Sequence, residues 1–185
     1  MTTAAVVLAA GGGARFARDE HKLVAPFRGR PLWTWAVDAA IAAELDDVVV
    51  VTGAVELAPM REGVVEVHND DWAEGQAGSL RVGVDAAERR GHDAVVVGLA
   101  DSPLVPASAW RAVAAATTTA IAVAEFGGDR RPPVRLAAAV WSLLPADGDE
   151  GARSLIAARP DLVTAVPCSG EAADIDTVED LEGWS

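Results

Sequence analysis

AAVVLAAGGGARFARDEHK, residues 4–22, sets a short apolar run, Ala4–Ala10, directly against a triple glycine, Gly11–Gly13. A strand running into a glycine turn opens a strand–loop–helix unit, and such a turn leaves backbone N–H groups free to approach phosphate oxygens. Lys22 is the only lysine among the fifteen Lys and Arg of the chain; all the others are arginines. A compact ammonium on a flexible stem can follow a moving phosphate charge, so this exception beside a glycine turn points to nucleotide chemistry. The segment is not a dinucleotide fingerprint, because Phe16 stands where a third glycine is needed. It is not a Walker loop either, because no Gly-Lys-Ser/Thr follows. The same letters also describe a plain strand-to-helix turn followed by a solvated charge run.

Working outward, short β-branched runs alternate with helical stretches. The strands fall at Ala4–Ala10, Asp47–Thr52, Val64–Val67, Ala94–Leu99, Ala120–Ala124 and Leu162–Val166. The helices fall at Leu32–Ala43, Gly78–Arg90, Ala107–Ala116 and Gly151–Ala158. This alternation predicts an α/β fold, a three-layer α/β/α sandwich around a mostly parallel, Rossmann-like sheet. No repeat and no Ser- or Pro-rich linker divides the chain, so residues 1–185 are expected to form a single domain. Ligands collect beyond the carboxyl ends of the strands in such sheets. Gly11–Gly13, His68–Gln76 and Asp101 all follow strands and are expected to face one crevice.

The net charge is −13. That argues against wrapping nucleic acid or lying on an anionic membrane, both of which need a broad cationic surface. An anionic ligand must meet a local reversal of sign. Arg15, Arg18, Lys22, Arg28 and Arg30, against Asp19 and Glu20, provide one. The lone Cys168 cannot form an internal disulfide, which suits a reducing, cytoplasmic setting. The opening MTTAAVVLAAGGG lacks a cationic start and a long apolar run, so neither a signal peptide nor a membrane span is expected.

Together these residues resemble the nucleotidyltransferases of the molybdenum cofactor cytidylyl- and guanylyltransferase type, relatives of the methylerythritol phosphate cytidylyltransferases. Leu8, Ala9, Ala10, Gly11, Gly13, Arg15, Phe16 and Lys22 match the family's opening signature, with Ala17 replacing its usual glycine. Pro26–Ala40 is similar to the following Gly-x-Pro-Leu and first helix. The resemblance implies a sheet of the nucleotide-diphospho-sugar transferase type. It also implies a nucleotide site formed by Leu8, Ala9, Ala10, Gly11, Gly12, Gly13 and Lys22.

The resemblance runs through the rest of the chain. NDDWAEGQAGSLRVGVDAA, residues 69–87, looks like the family's Asn-x-x-Trp element, which would put Gly75 and Ser79 near base and ribose. A capped helix start, with Ser79 satisfying backbone donors, is the plain alternative. VVVGLADSPLVPASAW, residues 95–110, is similar to the strand ending in Gly-Asp-x-Pro-Leu-Val, with Ala100 in the glycine position. By that likeness Asp101 binds nucleotide and magnesium, a role that suits a hard cation's preference for carboxylate oxygen. An isolated Asp-x-Pro reads equally as a turn.

DGDEGARSLI, residues 147–156, and DIDTVEDL, residues 174–181, resemble the family's two last elements. Asp174 and Asp176 alternate around Ile175, so either can supply a second carboxylate to magnesium, while Thr177, Glu179 and Asp180 also suit a helix start. The family likeness thus implies Arg15, Lys22 and Asp101 as catalytic residues and Asp101, Asp174 and Asp176 as metal candidates.

RRPPV, residues 130–134, departs from the molybdenum cofactor branch, because Pro132 stands where that branch commonly has histidine. Arg130, Arg131, Arg135 and Arg153 are candidates to grip a phosphorylated acceptor. His21, His68 and His92 have no spacing that suggests catalysis. Ala9–Gly11 and the DIDT ending look more like the CTP-using than the GTP-using branch. The expectation is therefore transfer from a nucleoside triphosphate, CTP before GTP, to a phosphorylated acceptor such as molybdopterin, with a molybdoenzyme as a client. Other acceptors (phosphosugar, methylerythritol phosphate, phospholactate) and a noncatalytic nucleotide-binding delivery module are the competing readings.

Overall fold

A computed structural model of the chain describes residues 1–17 and 20–184; Arg18 and Asp19 of the cationic stretch lie outside them. The strands are β1 (Thr3–Ala9), β2 (Pro26–Phe27), β3 (Arg30–Pro31), β4 (Asp47–Thr52), β5 (Val64–His68), β6 (Ala94–Leu99), β7 (Ile121–Phe126), β8 (Asp129–Ala137) and β9 (Val163–Pro167). The helices are α1 (Trp33–Ala42), α2 (Gln76–Arg89), α3 (Ala107–Ala115), α4 (Arg153–Ala158) and α5 (Val178–Trp184).

Seven strands form one sheet in the order β5-β4-β1-β6-β8-β7-β9. β1 pairs in parallel with β4 and β6, and β4 with β5, whereas β8 runs antiparallel to both β6 and β7. The mostly parallel three-layer sandwich follows from period-2 sorting along buried strands. In β1, Ala5, Val7 and Ala9 join the core under α1 and α3, while Ala4, Val6 and Leu8 join the core under α2 and α4. Gly83 lets α2 lie against the sheet, since a Cβ there would be 2.5 Å from Val6 Cγ1. This close approach carries the start of α2 over the end of β1.

β8 was not anticipated. Proline cannot donate to a strand ladder and is confined to edges and bulges, so RRPPV does not read locally as a central strand. The structure places Pro132 and Pro133 at a bulge: Val123 pairs with Val134, and the next residue, Ala124, pairs with Arg131. β7 also runs two residues past Ala124 and turns through Gly127 and Gly128, with φ of 59° and 98°. Both positive angles suit the tight hairpin that joins Phe126 to Asp129.

Candidate functional site at the carboxyl edge of the sheet

The end of β1 is held between its neighbours. Ala100 N–H donates to Leu8 C=O at 3.0 Å, and Ala54 N–H donates to Ala10 C=O at 3.0 Å. These bonds set Gly11–Gly13 beside the ends of β4 and β6. A crevice of about 420 Å³ opens there, lined by Leu8, Ala10, Gly11, Gly12, Gly75, Ser79 and Asp101. Ala9 does not face it, because strand alternation turns that side chain into the opposite core. Gly13 stands behind the loop, with His21 and Lys22 beside it.

The chain segment after β9 returns to this edge. Ile175 N–H donates to Asp101 C=O at 2.8 Å, and Ile175 is fully buried, so the acids on either side are fixed near Asp101. Lys22 Nζ donates to Asp101 Oδ2 at 2.6 Å and to Asp176 Oδ1 at 3.0 Å. Arg15 reaches the other oxygen of Asp176 at 3.0 Å from an exposed position. The Lys22 side chain is only 11% exposed. Burial by itself lowers its pKa, but Asp101 and Asp176 outweigh burial and hold it above the ordinary lysine value.

Asp174 lies in different surroundings. Its Oδ1 accepts a 2.6 Å bond from Ser102 Oγ, and Arg131 is 3.7 Å from its other oxygen. Burial, with repulsion from Asp101 and Asp176, raises its pKa, and the contacts with Ser102 and Arg131 offset part of that rise. Helix capping falls elsewhere: Thr177 Oγ1 accepts from Asp180 N–H, and Asp180 accepts from the N–H groups of Asp176 and Thr177. Asp174 and Asp176 are thus free of the capping role. Among the described residues no three carboxylate, imidazole or thiol groups converge to hold a metal ion by themselves.

Ser79 does not cap α2, whose N-cap is Gly75. It is buried, and its Oγ accepts a 3.0 Å bond from Asn69 Nδ2. Asn69 Oδ1 accepts from Asp71 N–H, which fixes the amide orientation. The Ser79 hydroxyl proton is left for another acceptor.

Trp72 and Gln76, inside the segment His68–Gln76 expected to face the crevice, do line it, and so does Asp149, to which sequence reasoning gave no role. Trp72 stood in the Asn-x-x-Trp element, and the tight contact between its ring and Gly12 is a property of three dimensions. A second cavity, about 370 Å³, shares Leu8, Gln76 and Leu99 with the first. Val97, Val123, Val134 and Ile156 form its apolar wall, and Arg130, Arg131 and Arg153 also line it. Arg135, grouped with those arginines in the sequence, is not among them. It is buried, with only weak contacts to Thr119 C=O and Met1 Sδ at 3.5 Å each, and burial lowers its pKa.

A glycine turn facing a lysine–carboxylate cluster, at the carboxyl edge of a largely parallel sheet, defines a nucleotidyltransferase-type domain. Residues 5–163 match the family model described as the MobA-like NTP transferase domain, and the chain belongs to that family. It is 31% identical over 192 residues to the purine catabolism protein PucB of Bacillus subtilis (strain 168), covering 96% of this chain and 93% of that protein. It is 32% identical over 194 residues to the nicotine blue oxidoreductase of Paenarthrobacter nicotinovorans, covering 95% and 93%. The manganese complex of Rv0371c from Mycobacterium tuberculosis H37Rv superposes with a TM-score of 0.83 at 25% identity, covering 100% of this chain and 98% of that one.

Proposed function

We propose that this protein transfers a nucleoside monophosphate from a nucleoside triphosphate, CTP in preference to GTP, to the phosphate of molybdopterin, releasing pyrophosphate. The observation that carries this reading is a pair of neighbouring cavities. One holds the glycine turn beside the Lys22–Asp101 pair, and the other, which shares Leu8, Gln76 and Leu99 with it, has an apolar wall and three arginines. An apolar wall with cationic groups suits an anionic acceptor with a conjugated ring body better than a hydroxyl-rich phosphosugar or phospholactate, whose polar groups would lie unpaired against it. The Ala9–Gly11 sequence and the DIDT ending favour CTP.

The acceptor phosphate is already ionised at neutral pH, so no strong general base is needed. One of its oxygens attacks the α-phosphorus, the bond to the bridging oxygen of the β-phosphate breaks, and pyrophosphate leaves with that electron pair. The amides around Gly12, with Arg15 and Lys22, meet the charge that moves onto the leaving group. Lys22 can exchange its carboxylate contacts for phosphate oxygens by rotating its stem. Arg130, Arg131 and Arg153 orient the acceptor.

Asp174 and Asp176 lie near Asp101, and the Asp174 pKa is raised by burial and by repulsion from the other two, which fits a site that gains a cation with its substrate. All the donors are hard oxygens, as magnesium prefers, and magnesium characteristically completes its shell with phosphate oxygens and water. Asp101 with Asp174 or Asp176 would hold the ion, which when bound supplies charge neutralisation at the phosphates. The similar Rv0371c structure was determined in complex with manganese, which is consistent with a divalent-ion requirement. The single cysteine, with no partner for an internal disulfide, suits a reducing cytoplasm, where the reaction would precede delivery to a molybdoenzyme.

Thermal unfolding with magnesium and each of CTP, GTP, ATP and UTP tests the nucleotide choice. Ligand at a hundred times its Kd adds about 2.7 kcal/mol to stability, so CTP should give the largest rise. Pyrophosphate release with molybdopterin should follow the same ranking. A preference for GTP would defeat the branch choice, and nucleotide binding without pyrophosphate release would favour a noncatalytic delivery module. The oxidoreductase name carried by one relative adds a control: turnover that requires a redox cofactor rather than a triphosphate would overturn the transfer reading.

A further inference from the structure

His21 lies directly before Lys22, and both of its ring nitrogens are engaged. Nε2 is 2.9 Å from Gly11 C=O, and Nδ1 is 3.2 Å from Leu23 N–H. A carbonyl can only accept and an amide N–H can only donate, so Nε2 carries the proton and Nδ1 carries none. The partners therefore specify one neutral tautomer. Burial holds the imidazole below its ordinary pKa; the bond to Gly11 opposes that shift, and the charge of Lys22 adds to it.

This ring joins the two halves of the nucleotide machinery. On one side it touches Gly13, where an added Cβ would lie 3.2 Å from His21 Nε2 and 3.3 Å from Lys22 Cγ. On the other it sits in the turn that presents Lys22, where Val24 and Ala25 N–H groups both donate to His21 C=O. The C=O and the following N–H of a trans peptide point to opposite sides. Holding Gly11 C=O on His21 therefore turns Gly12 N–H away from the ring. Gly11, Gly12 and Ala14 line the crevice and His21 does not, so that opposite side is the crevice. An unrestrained Gly11 carbonyl could swing its negative end toward a phosphate.

We propose that His21 is a positioning residue for nucleotide binding: its Nε2–H holds the Gly11 carbonyl out of the phosphate site and ties the glycine turn to the loop that carries Lys22. The proposal rests on the triphosphate reading above, and the test separates the two. In the full chain, His21→Gln puts an amide N–H near the place of Nε2, and His21→Asn puts a carbonyl oxygen near the place of Nδ1. Gln therefore retains the bond to Gly11, whereas Asn retains the bond to Leu23.

Loss of one such bond should raise the KM for the triphosphate roughly three- to tenfold. The Asn variant should show that rise with kcat nearly unchanged, together with faster deuterium exchange of the residue 11–17 amides. The Gln variant should stay near wild type in both, and the wild-type ring should give the nitrogen resonances of an Nε2–H tautomer. An Nδ1–H tautomer, unaltered loop exchange in His21→Asn, or equal impairment by Gln and Asn would overturn the proposal. If the Asn variant fails to fold, the wild-type tautomer and the Gln variant still decide it. If wild type releases no pyrophosphate from any nucleotide, the transfer reading fails, while exchange and tautomer continue to judge the tie.

Discussion

Replacing Lys22 by methionine keeps the stem of the side chain and removes its charge from between two carboxylates. At a separation of about 3 Å and an effective dielectric near 20, each ion pair is worth about 5 kcal/mol of gross attraction. Most of this is offset by the cost of desolvating an ammonium whose side chain is 11% exposed. Asp101 and Asp176 keep 20% and 26% of their side-chain surface, so solvent screens what remains, and the expected loss of stability is about 1–3 kcal/mol. For a domain of this size that is a fall in Tm of roughly 2–12 °C. Asp101→Asn in the Lys22→Met background removes the orphaned charge, so the double variant should be less destabilised than the sum of the singles by about 1 kcal/mol or more. Urea unfolding of the four proteins measures the coupling. Turnover tests the other half of the argument, because the lost ammonium is also the preorganised partner of the leaving pyrophosphate. Lys22→Met should lower pyrophosphate release at least about a hundredfold, and Lys22→Arg should not restore it, since a planar fork does not fit the slot of a compact ammonium. Additivity within about 0.5 kcal/mol, or near-normal turnover in folded Lys22→Met, would refute the reasoning.

Asp174 gives a pH signature. Its folded pKa is raised, so the stability tied to its proton is present below the unfolded pKa and lost as pH rises through the folded one. Asp174→Asn should therefore match or exceed wild-type stability at about pH 7 and lose that advantage toward about pH 4, as urea titrations at the two pH values would show. Gly98→Ala would place a Cβ 2.4 Å from Trp110 Cζ2 in the core, and such overpacking should cost about 1–3 kcal/mol by thermal unfolding. Gly53→Ala would meet Trp72 Cβ at 2.7 Å and Ala10 Cβ and C=O at 2.8 Å each. It should disturb the nucleotide crevice and raise the Kd for CTP in calorimetry more than it lowers stability.

Much of the architecture is legible along the chain because it rests on local pattern. The boundaries read for β4 and β6 coincide with those observed, Asp47–Thr52 and Ala94–Leu99, since β-branched runs ending at turn residues leave little ambiguity. β8 escaped because a diproline weighs against a strand wherever it is read locally, and only the pairing of β8 with β6 and β7 shows that the prolines sit in a bulge. The Gly127–Gly128 turn was the overlooked signal for that hairpin. Among site residues, Leu8, Gly11, Gly75, Ser79 and Asp101 converge on one crevice as strand ends in such a sheet must. His21 was passed over because its partners are backbone groups, which no side-chain spacing reveals.

Order along the chain, the glycine turn, the single lysine and the acids of the last segment were all set by the sequence, since each depends on residues near one another or on one-dimensional period. Which acid does what was decided only by folding. Asp174 and Asp176 are two residues apart and equivalent by alternation, yet Asp176 pairs with Lys22 and Arg15 while the half-buried Asp174 accepts from Ser102. The likeness of Arg135 to its neighbours likewise ends at the sheet, where alternation between Val134 and Leu136 buries it on the face away from the cavity lined by Arg130 and Arg131. The physical reason is that charge, burial and hydrogen bonding at a position depend on groups brought from distant parts of the chain, and their separation in space is a property of packing rather than of sequence.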